Sequence, residues 1–223
     1  MEAFASAVAR LGGSLEIATV ERLTPAGTGW RAILSGGREL TADRIVVADG
    51  CDAKGLLEPL GVELPVEPES RFLFLSDPIR ERLLEPLVIA GERRFAAKQL
   101  ASGRVLASDL GAESNPEEGR PRWIETVNAG IRSLVPILEY VSFPVLAEGI
   151  YDVTPDHQPI LDEAPVHEGL WVAAGFSGHG FMLAPAVGRL MSGAILGDRD
   201  PLLDAFSLGR FGRSEAVPET QVI

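Results

Sequence analysis

The 223-residue sequence predicts an α/β (α+β) chain in which part of a parallel sheet is interleaved with an antiparallel one. Three observations carry that prediction. RIVVADG (44–50) and GLWVAAG (169–175) are unbroken apolar runs ending in glycine, the pattern of parallel strands covered on both faces, with ligands at their carboxyl ends. Between them RFLFLS, PLVIAG, RRFAAKQL and GRVLASDL read as short successive strands of an antiparallel sheet. Last, FMLAPAVGRLMSGAIL is apolar all round with Arg189 as its single charge, which predicts a helix inside the protein.

The elements follow in chain order. Residues 1–11 place Phe4, Val8 and Leu11 at helical spacing before the breaker Gly12–Gly13. SLEIATVERL, GWRAILS and GRELTA, separated by PAGTG and SGG, predict a three-stranded meander whose first strand already includes Leu15 and Ile17. A short helix is expected over Asp52–Leu60, and Pro65 and Pro68 make GVELPVEPES an extended connector. SNPEEGRP reads as a polar loop, RWIETVNAGIRSLVPIL as an amphipathic helix stopped near Pro136, and VSFPVLAEGIYDV as a returning strand. Gly188 and Gly193 would let the last helix approach a strand closely, and residues 213–223 read as a frayed tail.

Composition removes several function classes. A hydrophobic content of 46% supports a buried core, while a net charge of −12 without a basic stripe argues against a nucleic-acid partner. The single cysteine, Cys51, excludes a disulfide framework and reads as a small core filler. His157, His167 and His179 lack metal-ligand spacing. No apolar run reaches the roughly 20 residues a bilayer span needs, and no signal peptide is visible, so a soluble cytoplasmic protein is expected.

Chemistry concentrates between Gly149 and Gly197. In GFSGHGF, Gly175, Gly178 and Gly180 carry the chain from a strand into a helix and would present free N–H groups to a ligand that gains negative charge; a plain tight turn fits the same glycines. In TPDHQP, Asp156 suits an Asx turn and His157 an exposed loop position, whereas His179, inside the glycine loop, stands nearer to chemistry.

GIYDVTPDHQPIL followed by GLWVAAGFSGHGFMLAPAVGRL resembles the C-terminal signature of the D-amino-acid-oxidase-like flavoenzymes, in the branch with sarcosine oxidase β subunits, dimethylglycine dehydrogenase and glycine oxidase. The segment from Gly13 to Gly50 is similar to the family's adenine side. The resemblance implies a partial FAD-binding Rossmann-like domain in residues 1–66 and 148–212, interleaved with an antiparallel substrate domain in residues 67–147. It implies FAD-dependent oxidation of a C–N bond in an amino acid or N-methylated amine, with hydride transfer to flavin N5. Val20 would lie by the adenine, Ala48 and Gly50 near the dinucleotide, and Gly178, His179, Gly180, Phe181 and Met182 along the isoalloxazine, with Gly149 and Tyr151 beside the substrate. His179 and Tyr151 are the implied catalytic candidates.

Two departures from the family pattern stand out. No strand–GxGxxG–helix unit is present, since GTGWRA at Gly27 lies between meander strands. Three explanations are open: a longer coding sequence, another chain that supplies the pyrophosphate site, or a non-catalytic chain that holds no FAD alone. Strands 44–48 and 170–174 are expected to flank that unit and to leave an apolar sheet edge, so the isolated chain is expected to aggregate or need a partner. Second, Tyr151 stands where glycine-oxidase-like members place a carboxylate-binding arginine. Arg93, Arg94 and Lys98 are the replacement cations to test, and Asp162 replaces a usual glycine.

Overall fold

The structure is a computed structural model that describes residues 2–113, 115–212 and 218; most of the expected tail, and Ser114 of the expected loop, lie outside the described residues. The described chain divides into two compact units, residues 2–65 with 159–174 and 182–212, and residues 66–158 with 175–181. No helix among the described residues is long and apolar enough to cross a membrane.

In the first unit the meander forms from β1 (Val20–Ala26), β2 (Gly29–Leu34) and β3 (Glu39–Ala42), antiparallel in that order. Leu15 and Ile17 fall outside β1 and are exposed: the ladder with β2 ends at Val20 opposite Leu34, and one further bond, from the Ser35 N–H to the Thr19 carbonyl at 2.9 Å, does not reach them. Helix α1 (Glu2–Arg10) precedes them and buries none of its residues.

The parallel pair also forms. β4 (Ile45–Val47) and β11 (Leu170–Ala174) run parallel, and β10 (Ile160–Glu163) is antiparallel to β11 on its other side. All five residues of β11 are buried, as a central strand requires. β4 is an edge strand among the described residues, and Val46 is 43% exposed, so the expected burial on both faces does not hold there. Nor do these strands flank a gap: Trp171 lies directly opposite Val46, and the open edge is the far side of β4.

After β4 come a 3-10 turn Gly50–Asp52, which leaves Cys51 half-buried, the helix α2 (Ala53–Leu57) and a second 3-10 turn Glu58–Leu60. Asp162 has a structural role in β10: its carboxylate accepts the Leu208 N–H at 3.0 Å and the Glu163 N–H at 3.0 Å. His167 is structural too, with Nε2 2.6 Å from the Leu60 carbonyl and its ring edge-on to Trp30.

The last apolar helix corrects an expectation. α4 (Gly180–Ile195) buries only Met191 and Ala194, and Phe181 is 88% exposed. Its apolar surface calls for cover, and the described residues leave most of it open. Gly188 has no neighbour that a Cβ would meet within 4 Å, and Gly193 serves the helix end. There the Asp198 N–H donates to the Gly193 carbonyl and the Gly197 N–H to the Ala194 carbonyl, with Gly197 at φ 95°, a Schellman stop.

The second unit is a five-stranded antiparallel sheet of β5 (Glu67–Leu75), β6 (Val88–Ala90), β7 (Phe95–Gln99), β8 (Val105–Asp109) and β9 (Val145–Val153), in the order β6-β7-β8-β5-β9. β5 starts inside the expected connector: Pro68 sits opposite Asp152 of β9, and β8 pairs only with Phe74 and Leu75, so the missing N–H falls on an edge stretch. β9 runs through the 147/148 boundary and keeps residues 148–153 in this sheet.

Helix α3 (Pro116–Leu134) also starts earlier than its apolar spacing suggests, within the expected loop. The Asn115 side chain accepts the Glu117 N–H at 3.0 Å, Pro116 opens the first turn, and Glu117 and Glu118 favour its positive end. One face of the sheet, with Phe72, Phe74, Phe95 and Val105, packs on Trp123, Val127 and Ile131 of α3 to form the core. The opposite face holds the candidate site.

Candidate functional site

Strand alternation decides what that open face carries. With Phe72 and Phe74 turned to α3, Arg71 and Leu73 turn away, and the register places Gly149 opposite Arg71 and Lys98 opposite Leu106. Arg71, Leu73, Lys98, Leu106, Gly149 and Tyr151 line a largely apolar cavity of about 210 Å³ in this unit. Gly149 leaves room there, since a Cβ at that position would meet nothing within 4 Å.

The loop from Gly175 to Phe181 is tied to the same sheet by its backbone. The Asp152 carboxylate accepts the Gly175 N–H at 2.7 Å, and the Asp152 carbonyl accepts the Ser177 N–H at 3.0 Å. Gly175 at φ 75° packs on Thr154, where a Cβ would come within 2.3 Å of Cγ2. Buried Ser177 holds φ 50°, rare for a residue with a side chain, and Gly178 follows at φ 93° against the Tyr151 ring. The N–H groups of Gly175 and Ser177, and that of His179, which donates to the Phe176 carbonyl at 2.9 Å, are therefore used within the protein rather than left for a ligand.

Asp152 is the charged member of this anchorage. Asp152→Ala is expected to cost about 1.5–3 kcal/mol, the range for a hydrogen bond to a charged group, and to loosen the loop. Denaturant unfolding measures the first effect, and amide exchange at Gly175 and Ser177 the second. Unchanged protection at both amides would show that the carboxylate does not hold the loop.

The predicted residues separate clearly. Gly149, Tyr151 and Lys98 come together in the cavity. Arg94 does not join them: its guanidinium forms a two-pronged pair with buried Asp109 at 3.0 and 2.8 Å, with Gly111 packed against it. Arg93 lies in the exposed 3-10 turn Gly91–Arg93. His179 is half-buried on the loop and outside the cavity lining. Asp156 forms the expected Asx turn, its carboxylate accepting the Gln158 N–H at 3.2 Å. His157 differs from the exposed position expected, with φ 57° and a buried Nδ1 that has no partner among the described residues.

Arg71 was missed. At the head of RFLFLS it reads as a surface charge, yet its side chain is 21% exposed and its guanidinium lies 5.3 Å from the centre of the Tyr151 ring. The available signal was the alternation with Phe72 and Phe74, which assigns Arg71 to the face opposite the aromatic core.

In the first unit, Val20 is 38% exposed at the start of β1, and Ala48 is exposed just past β4. Gly50 follows at φ 63° with open space where a side chain would stand. Phe181 and Met182 present exposed apolar side chains at the start of α4.

A family described as DAO, FAD dependent oxidoreductase, matches residues 1–194 of this chain. Glycine oxidase of Pseudomonas putida is 28% identical over 174 residues, which cover 78% of this chain and 47% of that protein. FAD-dependent oxidoreductase domain-containing protein 1 of Xenopus laevis is 30% identical over 173 residues, 73% of this chain and 35% of that protein. The chain spans less than half the length of these two relatives. In fold it is similar to L-proline dehydrogenase from P. horikoshii, with a TM-score of 0.84 at 23% identity, over 98% of this chain and 60% of that one. Glycine oxidase from Geobacillus kaustophilus gives a TM-score of 0.74 at 25% identity, over 94% and 56%.

Proposed function

The chain belongs to the DAO family of FAD dependent oxidoreductases, and from that membership we propose that it takes part in oxidising the C–N bond of an amino acid or N-methylated amine. The observation that supports this reading most is the cavity, lined by Arg71, Lys98 and Tyr151 amid apolar residues and formed in the same unit as the Gly175–Phe181 loop. The described residues fit FAD: Ala48 and open Gly50 stand at the carboxyl end of a parallel strand, and Phe181 and Met182 are exposed apolar residues beside a glycine loop. When bound, FAD would supply the electron acceptor for converting the substrate's C–N bond to an imine, which water then hydrolyses.

The chain's own residues then have defined roles. Val20, Ala48, Gly50, Gly178, His179, Gly180, Phe181 and Met182 are the positions that the family resemblance assigns to cofactor contact. Tyr151 and Gly149 shape the substrate space, whose aliphatic lining suits an apolar flank on the substrate.

A second reading keeps the fold but makes this chain a subunit beside another that contributes the dinucleotide contacts. The open edge of β4 and the exposed apolar start of α4 favour it. One experiment separates the two: add FAD to the purified protein and follow the flavin bands anaerobically as sarcosine, glycine or proline is added. Bound flavin that bleaches with an amine supports the first reading. Colourless protein that takes up FAD only with a second chain supports the other, and protein that never takes up FAD overturns both.

A further inference from the structure

We propose that Gln99 is a positioning residue that sets substrate size: its buried amide clamps the irregular segment 76–87 and so holds Leu87 as a fixed wall of the cavity. The proposal deepens the function proposed above and rests on it for the use of this cavity.

The segment needs such a clamp. Residues 76–87 join β5 to β6 with neither helix nor strand, a long irregular connection for a compact unit, and their backbone groups have no ladder to satisfy them. The near end is tied down at Ser76 and Ile79, whose N–H groups donate to the Val105 and Gly103 carbonyls at 3.0 and 3.1 Å. The far end runs into β6, an edge strand of only three residues.

Gln99 holds the stretch between those ends. It is 3% exposed at the end of β7, and its Oε1 accepts the Leu83 N–H at 2.8 Å and the Leu84 N–H at 3.1 Å. Its Nε2 donates to the Glu81 carbonyl at 2.8 Å and the Gly103 carbonyl at 3.3 Å. Two donors facing the oxygen and two acceptors facing the nitrogen use the whole capacity of the amide and fix its orientation. Leu84, held in this way, is buried in the core, and Leu87, three residues further on, lines the cavity. Released from Gln99, the segment has room to shift, because an open hollow of about 460 Å³ lies against it, bordered by Ile79, Glu81, Gln99 and Leu100.

The test follows binding of isobutyramide and the larger cyclohexanecarboxamide by NMR titration of the protein as purified, with no turnover required. Gln99→Leu is expected to raise the affinity for the larger amide relative to the smaller about fivefold, Leu87→Ala to do the same, and the double variant no more than either alone, because both act through one side chain. In the unmodified protein the Leu83 and Leu84 amides are expected to exchange as slowly as those of β7, and Gln99→Leu to speed them about tenfold while the β8 amides keep their protection. Gln99→Glu keeps the acceptor and is expected to retain part of both effects. Rapid exchange at Leu83 and Leu84 in the unmodified protein would overturn the proposal, as would a size preference that ignores Leu87→Ala, additive effects in the double variant, or binding of neither amide. If Gln99→Leu fails to fold, the exchange rates of the unmodified protein, Gln99→Glu and Leu87→Ala decide. The expected shifts without any amine oxidation would overturn the oxidoreductase reading alone, and amine oxidation whose size preference ignores both substitutions would overturn this proposal alone.

Discussion

Replacing Gly178 with valine is expected to destabilise the protein by about 2–5 kcal/mol, combining backbone strain with overpacking, and to lower kcat/KM for the amine substrate at least a hundredfold. Gly178 holds φ 93°, where a β-branched residue is strained whatever the space around it. Space is also lacking, because a Cβ there would come within 2.4 Å of Tyr151 Cε2 and 2.8 Å of Cζ. Relief has to come from the Tyr151 ring, which also supports Arg71 and lines the cavity. The substitution therefore damages the site even in molecules that fold. Gly149→Ala is the control for stability, since its Cβ meets nothing within 4 Å, and it is expected to unfold within about 0.5 kcal/mol of the unmodified protein. Denaturant unfolding and steady-state rates check both variants. A Gly178→Val protein with normal stability and turnover would show that the contact with Tyr151 is dispensable.

What the sequence made legible follows from which interactions are local. The unbroken run of β11 and the short runs RFLFLS, RRFAAKQL and GRVLASDL are local patterns, and each lies in a strand, β5 extending further upstream. Partnership is not local. RIVVADG holds the apolar run Ile45–Ala48, yet among the described residues β4 is an edge, because burial depends on what lies alongside and not on the run itself. α4 makes the same point more strongly: apolarity on all sides states a demand for cover without naming its source. For α3 the local signals were present but given the wrong weight. Asn115, Pro116, Glu117 and Glu118 are good helix-start residues, and they outweighed the polar composition that suggested a loop.

The site was legible to a similar degree. Tyr151, Gly149 and Lys98 line one cavity, and which cations join them depends on long-range geometry. Arg94 is held by Asp109, 15 residues away on the neighbouring strand, an ion pair that follows from strand pairing and not from any motif. Arg71 reaches Tyr151 only because β5 pairs with β9 across the intervening strands and helix. The absence of an arginine at position 151 was visible in the sequence; that Arg71 stands beside Tyr151 required the register.

That register depends on the other face of the sheet, and Trp123→Ala is expected to show it with a loss of about 3–5 kcal/mol, a large part of the ~5–15 kcal/mol that stabilises a typical domain. Trp123 is fully buried and stacks on Phe72 with ring centres 4.7 Å apart. Gly119, one turn earlier, clears the indole: a Cβ there would lie 2.2 Å from Cζ2. Phe72 stands between Arg71 and Leu73 on β5, so the Phe72–Trp123 stack fixes the strand that brings both to the cavity. The buried Nε1 of Trp123 has no partner among the described residues, which offsets part of the gain from burying the ring. Trp123→Phe removes that unpaired donor together with some ring volume, and is therefore expected to cost much less than the alanine variant. Unfolding curves for the two variants check the order, and amide exchange along β5 checks the coupling. Equal losses for alanine and phenylalanine would place the energy in the indole N–H. A Trp123→Ala protein that folds with unchanged amide protection along β5 would show that α3 does not hold that strand in place.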